Sequence, residues 1–170
     1  MYIIQKTYKQ CDKFENKEKN SLKVALVLPS TEPPLIITHF RRMVQECIDK
    51  INDEIRSGEP ELEVMILNHN TKERSPIYNY NAIYRSDVVI TECTEHKPNI
   101  FYLLGIAHAI GKPVCCCYNR ATGTDKIADD IPFNVHGRQS LVYDTEFTDK
   151  QDKFKKDIID WLCEVGKIAR

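Results

Sequence analysis

Between Ser86 and Val114 the chain reads SDVVITECTEHKPNIFYLLGIAHAIGKPV: a strand, a polar turn, a helix and the start of a second strand in immediate succession. Val88, Val89 and Ile90 form a short unbroken apolar run, the pattern of a strand covered on both faces. Thr91 to Lys97 is polar, Pro98 suits the first position of a helix, and Gly111, Lys112 and Pro113 close that helix before the apolar run resumes at Val114. A strand, a crossover helix and a second strand make the unit from which open parallel sheets are built. In such sheets ligands bind in the turns beyond the carboxyl ends of the strands.

The same alternation extends to both sides. Upstream, LKVALVLP from Leu22 is an apolar strand stopped by Pro29, Ser30 and Thr31. Ile37, Phe40, Val44, Cys47, Ile48, Ile51 and Ile55 then recur at helical spacing up to Gly58 and Pro60. Leu62, Val64 and Ile66 mark a second strand, and Ser75 and Pro76 open a short helix through Tyr84. Downstream, Val114 to Tyr118 is the fourth strand and Leu141 to Tyr143 the fifth, with a final amphipathic helix on Phe154, Ile158, Trp161, Leu162, Val165 and Ile168. Five strands alternating with about four helices predict one α/β domain over residues 22–170, a flavodoxin-like (Rossmannoid) parallel sheet of order 2-1-3-4-5. Residues 1–21 form an N-terminal extension in which only Tyr2 to Ile4 suits a short strand.

SDVVI followed by PN, FY, LG, AHA and GKPV resembles the nucleoside 2-deoxyribosyltransferase-like, TIR-like group of nucleotide-handling domains. Its members typically read D-L-T and then N-P-N-V-F-Y-E-L-G-x-A-H-A-x-G-K-P-V. The similarity spans Asp87 to Val114, with a weaker echo in DIPFNV at Asp130 to Val135. The resemblance implies the same doubly wound fold and a nucleoside or nucleotide ligand, and it suggests self-association and a place in bacterial antiphage defence or nucleotide signalling. One departure stands out. Where the active enzymes carry a nucleophilic glutamate after F-Y, this chain has Leu103.

Cleaving an N-glycosidic bond requires stabilisation of positive charge at the anomeric carbon, a nucleophile or activated water, and often a proton for the departing base. Leu103 supplies none of these. Glu92, which follows the third strand where the family commonly has an aspartate, and Glu95 in the same turn are the candidate catalytic replacements. A role in ordering the turn or binding ribose hydroxyls suits Glu92 better, since catalysis demands tight placement. Pro29, Ser30 and Thr31 face Thr91, Glu92 and Thr94 across the expected crevice. Thr91 and Thr94 either contact sugar or phosphate oxygens or cap their own turn. Asn99 sits at a helix start whose free amides favour an anion. Tyr102 is the aromatic candidate for a base, with Phe101 assigned to the core, His108 to helix packing and Asp87 to a structural role. The long polar loop from Ala121 to Gln139 adds Phe133 to cover a base and Arg138 to meet a phosphate.

The 24 basic and 25 acidic residues give a net charge of −1, which leaves no field to hold polymeric DNA or RNA. No apolar run approaches the roughly 18–20 residues that span a bilayer, and MYIIQKTYKQ lacks a signal core, so a cytoplasmic protein without a membrane partner is expected. Seven cysteines, three of them adjacent at Cys115 to Cys117, predict reduced core thiols, because neighbours along a strand point to opposite faces and cannot converge on one ion. Cys93 and His96 alone make no metal site. No metal and no cofactor are therefore expected. A ligand-binding module that recognises a nucleoside, nucleotide or nucleotide-derived signal without cleaving it is the preferred function. An N-glycosidase or deoxyribosyltransferase using Glu92, Glu95 or water is the alternative, and a self-assembling scaffold is the third.

Overall fold

The computed structural model describes residues 21–29, 34–54, 61–68, 76–120 and 140–166. The elements follow in the order β1 (Ser21–Leu28), α1 (Pro34–Glu54), β2 (Glu61–Asn68), α2 (Pro76–Arg85), β3 (Val88–Glu92), α3 (Pro98–Ala109), β4 (Val114–Asn119), β5 (Ser140–Tyr143) and α4 (Thr148–Gly166). The strands form one five-stranded sheet of order β2-β1-β3-β4-β5, parallel throughout. The expected fold class and strand order are both present. Residues 1–20 of the expected N-terminal extension, with Ser30, Thr31, Phe133 and Arg138, lie outside the described residues, while Ser21, expected to end that extension, opens β1.

Alternation along each strand divides the core into two layers. Val24, Leu26, Leu28, Val88, Ile90, Cys115, Cys117, Leu141 and Tyr143 face α1 and α4, where they meet Phe40, Val44, Ile48, Phe154, Ile158 and Trp161. Ala25, Val27, Val89, Val114, Cys116 and Tyr118 face α2 and α3, against Ile83, Ile100, Leu103, Leu104 and Ala107. The three consecutive cysteines thus part as expected, two into one layer and one into the other.

Both ends of the β3–α3 unit have local causes. At its start Lys23 donates its backbone N–H to Asp87 Oδ2 at 2.9 Å and Asp87 returns its own N–H to the Lys23 carbonyl at 2.7 Å, locking β1 to β3. Asp87 is a structural clasp at the amino edge of the sheet, as its position predicts. At the end of α3, Gly111 takes φ +73° and donates to the His108 carbonyl at 3.0 Å, while Lys112 donates to that of Ala107 at 2.9 Å. This pair of bonds satisfies the last helical carbonyls, and only glycine holds that backbone without strain.

Candidate functional site at the carboxyl edge

The order β2-β1-β3 places a topological switch between β1 and β3, whose carboxyl ends are Leu28 and Glu92. In doubly wound sheets the ligand crevice opens there. β3 runs two residues beyond the apolar triplet, so Thr91 and Glu92 are strand residues and point to opposite faces. Glu92 shares the face of Val88 and Ile90 and lies in the α1–α4 layer, with only 1% of its surface exposed.

Glu92 is held by Thr94 just beyond its own strand and by Tyr143 from the end of β5. Its Oε1 accepts the Thr94 backbone N–H at 3.2 Å, the Thr94 hydroxyl, and the Tyr143 hydroxyl at 3.1 Å from the end of β5. Thr94 Oγ1 in turn accepts the Asn119 N–H at 2.8 Å from the end of β4. Tyr143 is fully buried between Phe40 and Phe154, with ring centroids 4.9 and 5.5 Å away. The Glu92 carboxyl group and the Thr94 hydroxyl together tie the ends of β3, β4 and β5.

Its electrostatics follow from the same packing. Burial raises the Glu92 pKa above the ordinary carboxylate value; the bonds from Thr94 and Tyr143 oppose the shift without cancelling it, and the charge of Glu95 adds to it. Burial pushes the Tyr143 phenol up too. The contrast with neighbouring Asp144, also buried, is instructive. Burial pushes Asp144 upward, but the N–H groups of Glu146 and Phe147 at 2.8 and 3.2 Å, with Lys150 at 3.5 Å, hold it below the usual range. Asp144 is an ion that starts α4. Glu92 has no such cation beside it among the described residues.

The other candidates divide by position. Pro29 is buried at the end of β1. Thr91 is buried on the α2–α3 face, and its hydroxyl has no hydrogen-bond partner among the described residues. Glu95 is ion-paired to Lys97 at 3.1 Å and exposed. Asn99 and Tyr102 stand in the first turns of α3, exposed, with Tyr102 at 64%. Lys97 precedes that helix without a side-chain cap. His96 adopts φ 50° in the turn and stacks on Phe101 at 6.0 Å; Phe101 is half-buried and packs against the α2–α3 core, the side expected of it. Leu103 is 3% exposed in the α2–α3 layer, on the opposite face of the sheet from Glu92.

Tyr143 and Asn119 are absent from the residues singled out in the sequence. Both are polar residues closing an apolar strand of a parallel sheet, and that position is the signal that finds them. A groove of about 600 Å³ lies away from this edge, between α1 and α4, lined by Glu46, Lys50, Lys155 and Asp160 around Cys47. Burial pushes the Cys47 thiol up to about 12, so it is no nucleophile at neutral pH.

These features define a doubly wound α/β domain with a buried polar cluster at the carboxyl edge of its central strands. Solved structures of similar fold include an oxidoreductase from Corynebacterium diphtheriae, 11% identical over 87% of this chain and 96% of that one at a TM-score of 0.55. A conserved protein from Enterococcus faecalis V583 is 12% identical over 84% and 99% of the two chains, at 0.53. A CMP N-glycosidase from Clostridium botulinum is 15% identical over 82% and 97%, at 0.44. For the first two, at these identities, the likeness is one of fold. No protein-family model matches the sequence, and no curated protein matches it. No helix among the described residues is long and apolar enough to cross a membrane.

Proposed function

We propose that this domain binds a nucleoside, nucleotide or nucleotide-derived signal at the carboxyl edge of β1 and β3 without cleaving it. The observation that carries the proposal is the Glu92–Thr94–Asn119–Tyr143 cluster, a built polar group along the carboxyl edge of β3, β4 and β5 that begins at Glu92, on a strand bordering the switch. The ligand class rests on the resemblance of Asp87 to Val114 to the deoxyribosyltransferase-like, TIR-like domains.

Binding without cleavage is supported by what each carboxylate can do. Leu103 replaces the nucleophile of the resembling enzymes with a buried apolar side chain. Glu92, whose pKa burial raises, is a poor nucleophile in its protonated form. Glu95 is exposed and paired with Lys97. Self-association and a role in defence or nucleotide signalling belong to the same proposal and rest on the resemblance alone.

The test is affinity. Glu92→Ala and Thr94→Ala should each weaken binding of the nucleoside or nucleotide that the protein prefers by at least about fivefold, the loss of about 1–3 kcal/mol expected for a hydrogen bond in a shielded site. Isothermal titration measures this directly, with thermal denaturation as the check on folding. Unchanged affinity in both variants, each folded, would move the site elsewhere.

A further inference from the structure

Glu92 uses one carboxyl oxygen for all of its contacts: Oε1 accepts from the Thr94 N–H, the Thr94 hydroxyl and the Tyr143 hydroxyl. Oε2 takes part in none of these bonds. The surroundings favour the neutral acid. The side chain is 1% exposed, and no lysine, arginine or histidine pairs with it among the described residues. Glu95 in the following turn is the charged group acting on it, and it carries the same sign. From β5 comes the Tyr143 phenol and from β4 the Cys117 thiol, both pushed up by burial and hence uncharged at neutral pH. α1 and α4 present Phe40 and Phe154 to the Tyr143 ring.

A carboxylic acid has one O–H to give and one carbonyl oxygen to accept with. Here Oε1 is the accepting oxygen in each of the three bonds, which leaves Oε2 as the oxygen to carry the proton. We infer that Glu92 meets its ligand as a neutral acid and donates a hydrogen bond from Oε2, so that the site selects ligands presenting an uncharged acceptor there, such as a carbonyl oxygen, a ring nitrogen or a sugar oxygen. A ligand offering a cation or an N–H at that point would find no acceptor. This inference rests on the ligand-binding function proposed above and goes further in naming the direction of the hydrogen bond. A neutral carboxyl kept as a donor by an apolar site is an established device in enzymes.

A glutamine side chain is close in shape to the neutral acid of Glu92, and both can donate. The experiment is therefore titration calorimetry of the full chain, of Glu92→Gln and of Glu92→Ala, from mildly acidic to mildly alkaline pH. The probes are adenosine, cytidine and NAD, none of which changes protonation across the neutral range. For a probe that binds, the natural protein should hold a constant Kd on the acid side and lose about tenfold per pH unit once above the raised Glu92 pKa, as the donor is removed. Glu92→Gln should bind within about threefold of the natural protein on the acid side and show no such loss at alkaline pH, whereas Glu92→Ala should be weaker by about tenfold or more. Glu92→Gln as weak as Glu92→Ala while still folded, or affinity that rises with pH, would overturn the donor assignment and leave the binding function standing. No binding of any probe by any form at any pH would overturn both.

Discussion

Replacing Leu103 with glutamate is expected to destabilise the fold strongly and to release no base from any nucleoside. The residue is 3% exposed and packs with Ile100, Leu104 and Ala107 in the α2–α3 layer. Removing leucine forfeits about 2 kcal/mol of apolar burial, and placing a carboxyl group there without partners adds a desolvation cost of about 1–3 kcal/mol even when it stays protonated. A loss of about 3–5 kcal/mol corresponds to a fall in Tm of about 10 °C or more for a domain of this size. Thermal denaturation and chromatography of the reaction mixture check the two halves together. A variant as stable as the natural protein that released base would place the side chain in the crevice and reveal a catalytic frame lacking only its nucleophile.

Tyr143→Ala is expected to be as damaging for a different reason. The ring is fully buried between Phe40 and Phe154, and its hydroxyl donates to Glu92 at 3.1 Å. Truncating a buried aromatic costs about 3–5 kcal/mol, since the cavity left behind closes only in part. Tyr143→Phe keeps the ring and removes one hydrogen bond, so its cost should be about 1–2 kcal/mol. Denaturant unfolding of the pair separates packing from hydrogen bonding. A loss below about 1 kcal/mol for Tyr143→Ala would contradict the clamp that Tyr143 forms across β4.

Much of this is legible in the chain. Strands buried on both faces are written as unbroken apolar runs, so Val24 to Leu28, Val88 to Ile90 and Val114 to Tyr118 stand where the structure has β1, β3 and β4. Gly111 before Lys112 and Pro113 ends α3 as its backbone requires. Glu92 is identifiable because it follows the Val88 to Ile90 run at the carboxyl end of the third strand, where the resembling family commonly has an aspartate. Its partner is not. Tyr143 lies 51 residues away and reaches Glu92 past β4, a contact set by the sheet's strand order and not by any local pattern. Phe101 packs against the α2–α3 core as helical spacing predicts, but the imidazole of His96, held at positive φ, stacks on it, a contact that no local pattern announces. Thr91 and Glu92, neighbours in sequence and candidates for one crevice, point to opposite faces once β3 is seen to extend through both.

The function proposed for this domain is recognition of a nucleoside or nucleotide without cleavage of its glycosidic bond. The most direct measurement incubates the full chain with a panel of nucleosides, mononucleotides and NAD, reading thermal shift and base released by chromatography in the same samples. A rise in Tm with at least one compound, and no free base above the protein-free control, is the predicted result. Steady release of base by the natural protein, abolished by Glu92→Gln or Glu95→Gln, would contradict it and establish a displaced catalytic carboxylate.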